Sequence, residues 1–218
     1  MHTQQEAQKD RPLAADSVGG FHCSHVQPHF LFNALSQIGA AIGPNPKAAK
    51  ELVLCLADLL RAGIGHEEAD LHSLDEEMDL VKSYAAIEQE RFRGKLVIEI
   101  AAADGLAATL PAFSLVRLAE HLLRETLLPC GGGTLRISTG RRDGCVCCEL
   151  SAVPQEGRPR QPYGSGDGAL PPGIDGWLRR SSGSRLETAF RDGQLIKAWF
   201  TVPETTGRVG YDHENNDR

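Results

Sequence analysis

The sequence predicts an α+β protein, a helical hairpin followed by an α/β unit. Two observations carry that prediction. Apolar residues recur at helical spacing as far as Phe92, and the pattern then switches to the strict alternation of a strand at "KLVIEIA", Lys95 to Ala101. Beyond that point helix-like and strand-like stretches follow one another, separated by glycine- and proline-rich segments, as in a layered α+β domain.

In chain order, Leu31, Leu35, Ile38 and Ile42 form the seam of a first helix, ended by the breakers "GPNP", Gly43 to Pro46. A second helix is expected from about Lys47 to Ala62, with Leu52, Leu56 and Leu59 as its seam and Val53 and Leu60 beside it. The segment "GIGHEEADLHS" reads as a connection. Ser73 with Glu76 three residues on forms a capping box, and a helix from Leu74 to about Phe92 follows. "LPAFSLVRLAEHLLRETLL" reads as a helix begun near Pro111, a favourable first-turn residue. "GGGTLRIST" turns into a strand, and Asp143–Gly144 signals a hairpin into "CVCCELSAV". A long loop from Pro154 to Gly176, a short helix near Ser181 to Phe190 and a last strand "QLIKAWFTVP" complete the pattern. The expected organisation is a lead-in over residues 1–20, a hairpin over 21–66, an α/β domain over 72–203 and a polar tail over 204–218.

A formal net charge of −6 provides no basic field for nucleic acid or an anionic membrane. No apolar run approaches the ~20 residues that span a bilayer, and residues 1–20 lack the apolar core of a secretion signal. A cytoplasmic protein with no membrane segment is therefore expected. In that setting the 6 cysteines read as reduced thiols packed as small hydrophobes. A metal-dependent reading rests on His22, Cys23, His25 and His121, but only His25 and His29 stand at a ligand-pair spacing, with no second pair to match.

The chemistry concentrates in "HVQPHFLFNAL", His25 to Leu35. On the first helix His29, Asn33 and Ser36 share a polar stripe beside the leucine seam. A lone histidine there is ordinarily a surface or half-buried residue. An exposed neutral imidazole is also a competent nucleophile near neutral pH.

"QPHFLFNAL" resembles the phosphoacceptor box of the LytS-like sensor histidine kinases, which reads close to N-P-H-F-L-F-N-A-L. "LADLLRAGI", Leu56 to Ile64, is similar to the second dimerisation helix of that family. "LDEEMDLVKSYAAIEQERF" keeps its pattern with Glu77, Tyr84, Ile87, Arg91 and Phe92 in step, and "LPAFSLVRLAEHLLRET" stands where the family has P-x-x-x-L-x-x-L-x-E-N-A-x-x-H-G. The resemblance implies a dimerisation and phosphotransfer hairpin followed by a GHKL-type, Bergerat-like α/β sandwich. It implies His29 as phosphoacceptor, Asn33 as its orienting partner, and ATP with Mg²⁺ as cofactors. The implied partners are a second copy of the chain, a response-regulator aspartate and a separate sensor or partner kinase. It makes Glu120, His121, Arg124 and Gly176 the nucleotide-side residues.

Departures from the family pattern fall on the nucleotide side. His121 replaces the asparagine that helps hold Mg²⁺, a hard cation that prefers oxygen. The adenine-reading aspartate would fall near Ala152, with Asp167 as a displaced substitute, and the last glycine motif keeps Gly176 alone, with Ser181 where its asparagine would stand. The expected function is therefore a sensor histidine kinase core with a weakened nucleotide site. The alternative is a non-catalytic dimeric pseudokinase or phosphotransfer scaffold that binds a partner kinase or regulator.

Overall fold

The computed structural model describes residues 28–63, 71–155, 185–191 and 194–205. The helical hairpin consists of α1 (Pro28–Ala41) and α2 (Pro46–Gly63). It leads into β1 (Leu71–Ser73), α3 (Leu74–Arg91), β2 (Leu96–Ala101), β3 (Thr109–Pro111) and α4 (Ser114–Leu122), which continues as one π-helical turn over Leu123–Leu127. Strands β4 (Gly133–Arg142), β5 (Cys145–Pro154), β6 (Arg185–Arg191) and β7 (Gln194–Pro203) complete the mixed helix-and-sheet fold.

The local chemistry explains the element ends. Asn45 Oδ1 accepts from Ala48 N at 3.2 Å, and Pro46 fills the first helical position of α2, where no N–H is missed. At α3 the capping box forms in full: Glu76 N donates to Ser73 Oγ at 3.3 Å, and Ser73 N donates to Glu76 Oε2 at 2.7 Å. Ser73→Ala is expected to cost about 1 kcal/mol, read as a lower urea midpoint at unchanged m-value. Asp143 and Gly144 both take positive φ, 51° and 76°, the backbone that a two-residue hairpin between β4 and β5 requires.

The main sheet has the order β2-β4-β5-β7-β6, with β2 and β4 parallel and the other pairs antiparallel. Its alternation sorts Leu135 and Ile137 of β4, Val146, Cys148 and Leu150 of β5, and Ala198, Phe200 and Val202 of β7 onto the buried face. α4 and its π-helical turn pack on that face. Burial pushes the Cys148 thiol up to about 12, so it packs as a neutral hydrophobe. α3 joins α4 in the helical layer, and α1 and α2 pack on α3, so one continuous core runs from Phe30 through Leu52, Leu56 and Leu59 to the sheet.

Three expectations are corrected. Residues 185–190, expected as helix, lie in strand β6, where pairing with β7 overrides local propensity (Arg185 opposite Thr201); Ser181 to Ser184 lie outside the described residues. Pro111 ends β3 rather than opening a helix, because Leu71 to Ser73 pair with Thr109 to Pro111 and form a strand where only a connection was expected. Helix α4 instead begins at Ser114, after Phe113 in a left-handed conformation at φ 62°. Of the apolar seam of α1, Leu31 and Ile38 pack against the core while Leu35 and Ile42 stay 57% and 61% exposed, and the residues buried outright within one chain are Phe30, Ala34 and Ala41. Small Ala34 allows close approach, and Phe30 reaches inward. The expected loop over 156–176 lies outside the described residues.

Candidate active site

Pro28 opens α1 and puts His29 in the first turn, on the exposed side, while Phe30 points the opposite way into the core. The Phe30 ring stacks on Tyr84 of α3, with centroids 5.4 Å apart and planes 26° apart, and this contact pins the start of α1 to α3. One turn on, Asn33 Nδ2 lies 3.1 Å from His29 Nδ1 and 3.4 Å from Nε2. Ser36, third in the polar stripe, donates to its own helix at Phe32 O, 2.8 Å away, and takes no part with the ring.

The facing side of α3 carries Tyr84, Glu88 and Arg91 at i, i+4 and i+7. Arg91 Nη1 lies 3.1 and 3.3 Å from the two Glu88 oxygens. Glu88 is buried, and burial raises its carboxyl above the ordinary value, opposed by the Arg91 guanidinium. Burial, then the charges of Glu88 and Glu120, hold the Tyr84 hydroxyl well above its usual range, so it stays protonated.

α4 supplies the other wall. Glu120 and Arg124 pair one turn apart, with Nη1 to Oε1 at 3.4 Å. Arg124 and Leu123 belong to the π-helical turn, a local widening that re-aims side chains. Together these elements enclose a cleft of about 450 Å³, with His29 and Phe30 on one side, Tyr84, Glu88 and Arg91 on the floor, and Glu120, Leu123 and Arg124 opposite, closed by Leu128 and Pro129. That volume falls in the range of small-molecule sites.

Of the residues singled out in the sequence, His29, Glu120 and Arg124 therefore meet at one cleft. His121 does not line it. His121 is half-buried, and burial holds its pKa below the ordinary histidine value against the opposite pull of Glu125. At the expected adenine-reading position, Ala152 is a methyl group in the core beneath β5. Gly176, Asp167, His22, Cys23 and His25 lie outside the described residues. Among the described residues, no group of three or more His, Cys, Asp or Glu side chains is placed to hold a metal ion. The cleft residues Tyr84, Glu88 and Arg91 were not singled out as site residues. Their i, i+4, i+7 spacing was the available signal, but it reads equally as packing.

The histidine kinase family model matches residues 22–96, the stretch that contains His29 and the whole of α3. Over that stretch the chain is similar to the histidine kinases, and its curated relatives are sensor histidine kinases. Similar sensor histidine kinases include YpdA of Escherichia coli, 34% identical over 53% of this chain and 20% of the relative. YesM of Bacillus subtilis is 29% identical over 89% of this chain and 31% of the relative. The sensor histidine kinase/phosphatase LytS of Staphylococcus aureus is 31% identical over 55% of this chain and 21% of the relative. The chain thus spans between a fifth and a third of the length of these relatives. Among solved structures, the nucleotide-free catalytic domain of the histidine kinase ThkA is similar at a TM-score of 0.44, with 12% identity, covering 65% of this chain and 100% of that one. No described helix of the chain is long and apolar enough to cross a membrane.

Proposed function

We propose that this chain is the phosphoryl-accepting core of a two-component signalling protein in the cytoplasm: His29 takes a phosphoryl group and passes it to a response-regulator aspartate. The observation that carries this reading is the position of an exposed His29, with Asn33 one turn on, at the mouth of a cleft walled by Glu120 and Arg124. In the accepting step a ring-nitrogen lone pair bonds to phosphorus as the donor's P–O bond breaks, and the other ring nitrogen sheds its proton to solvent. Attack from Nε2 requires the proton on Nδ1. Asn33 favours that tautomer when its amide presents Oδ1 to the ring instead of Nδ2.

The residues present fit Mg-ATP poorly. A half-buried imidazole stands where a magnesium-holding amide would be, and a buried methyl stands where an adenine acceptor would be. Each lost polar contact costs about 1–3 kcal/mol, so two of them weaken nucleotide binding by orders of magnitude. This favours a second reading in which a partner kinase phosphorylates His29 in trans and Glu120, His121, Arg124 and Gly176 are remnants of a nucleotide site. Calorimetry with Mg-ATP separates the two readings, micromolar affinity supporting the self-phosphorylating kinase and no measurable heat supporting the relay. Failure of His29 to take acid-labile phosphate from either ATP or a partner kinase defeats both.

In this reading residues 21–66 supply dimerisation and phosphotransfer, residues 72–203 are a GHKL-type nucleotide-binding-like domain, and residues 1–20 and 204–218 flank them. Phe32, Leu35 and Ile42 form an exposed stripe along α1, with Val53 and Leu54 exposed on α2. Two copies joined through those faces make a four-helix bundle. Light scattering at micromolar concentration is expected to give the mass of a dimer, and Leu35→Glu is expected to shift it to the monomer.

A further inference from the structure

We propose that Arg91 and Arg124 form a clamp for the phosphoryl group on phosphorylated His29, exchanging their carboxylate partners for its oxygens and holding the modified ring against the cleft. The inference rests on the reading of His29 as phosphoacceptor and adds a means of setting how long the phosphoryl group survives. Three features of the cleft carry it. Both of its guanidinium groups line the same space as the histidine. Each is already engaged by a carboxylate in a geometry suited to oxyanions, Arg91 with both oxygens of Glu88 and Arg124 with Glu120. The π-helical turn places Arg124 within the cleft wall.

The charge arithmetic explains the exchange. In the resting cleft two arginines face two glutamates and the His29 ring. A phosphoryl group adds ≈ −1.5 to −2 charge and three strong acceptor oxygens, and so competes for the same guanidinium donors. Glu120 keeps 19% of its side chain exposed, beside the more exposed Arg124 at 47%, and can turn to solvent when displaced. Glu88 is buried, and it releases Arg91 at least cost by taking up a proton. The clamped phosphoryl group is shielded from water, so the N–P bond hydrolyses slowly.

The test loads His29 without any kinase. Phosphoramidate transfers its phosphoryl group to exposed imidazoles: its own P–N bond breaks, the ring N–P bond forms, ammonia leaves and the ring proton passes to solvent. The His29 signal is the phosphorus resonance absent from His29→Gln, which removes the contribution of the other histidines. Its decay is followed in wild type, in Arg124→Gln and in the matched pair Arg91→Gln with Glu88→Gln, which leaves no buried carboxylate uncompensated. Arg141→Gln, which breaks an ion pair with Glu204 remote from the cleft, is the control. The clamp predicts a lifetime roughly threefold to tenfold shorter in both cleft variants and unchanged in the control. Equal lifetimes in wild type and cleft variants, or a His29 that takes no label, overturn it. Because loading is chemical, the clamp can hold even if no kinase phosphorylates His29, and it can fail while His29 remains the acceptor.

Discussion

Replacing Glu77 with alanine is expected to lower folding stability by about 3–5 kcal/mol, more than any other single carboxylate among the described residues. The Glu77 side chain is fully buried and serves two elements at once. Its Oε1 accepts from Phe113 N at 2.5 Å and lies 2.9 Å from His72 Nδ1, while Oε2 accepts from Leu115 N at 2.9 Å and Ser114 Oγ at 3.2 Å. A carboxylate of α3 thus caps the first turn of α4, where Phe113 supplies no side-chain cap of its own. Removal strands backbone donors and a buried imidazole together. The measurement is a urea midpoint at constant m-value, with Glu77→Gln expected to recover part of the loss by keeping the shape. A loss below about 1 kcal/mol would show that the cap is not what joins α3 to α4.

Gly132→Ala is expected to cost about 2–5 kcal/mol through backbone strain and overpacking combined. Gly132 has φ +127°, and an added Cβ would stand 2.0 Å from Lys95 O, a backbone atom that has no side-chain freedom to move aside. That carbonyl also accepts from Gly133 N at 2.8 Å, and Gly132 itself donates to Leu127 O at 2.9 Å and accepts from Gln155 N at 3.1 Å. The turn therefore ties the end of the π-helical segment to the starts of β2 and β4 and the end of β5. Gly140→Ala, with open space around the added methyl, is the comparison and is expected to be near neutral. Similar thermal midpoints for the two variants would contradict the steric account.

What was legible in the sequence was local chemistry. The Ser73–Glu76 box, the Asp143–Gly144 turn and the Leu52–Leu56–Leu59 seam each declare themselves within a few residues, and the structure realises all three. What was not legible depends on distant partners. β1 exists because it pairs with β3 nearly forty residues on, and β6 is a strand because β7 offers it an edge. In α1, periodicity finds an apolar stripe without saying what covers it: within one chain Phe30 and Ala34 take the buried side, and Leu35 and Ile42 stay exposed. The same limit applied at the cleft. His29, Glu120 and Arg124 stood out through motif resemblance, whereas Glu88 and Arg91 become site residues only because the hairpin folds back over α3.

The most direct test of the central claim is to locate the phosphoryl group. The protein is incubated with Mg-ATP alone and, separately, with Mg-ATP and a partner kinase, then held at alkaline pH and fragmented in a mass spectrometer. The account predicts a single acid-labile phosphoryl group on the peptide containing His29, absent from His29→Gln and lost to an added receiver domain. Phosphate on any other residue, with His29 unmodified in folded protein, would contradict it.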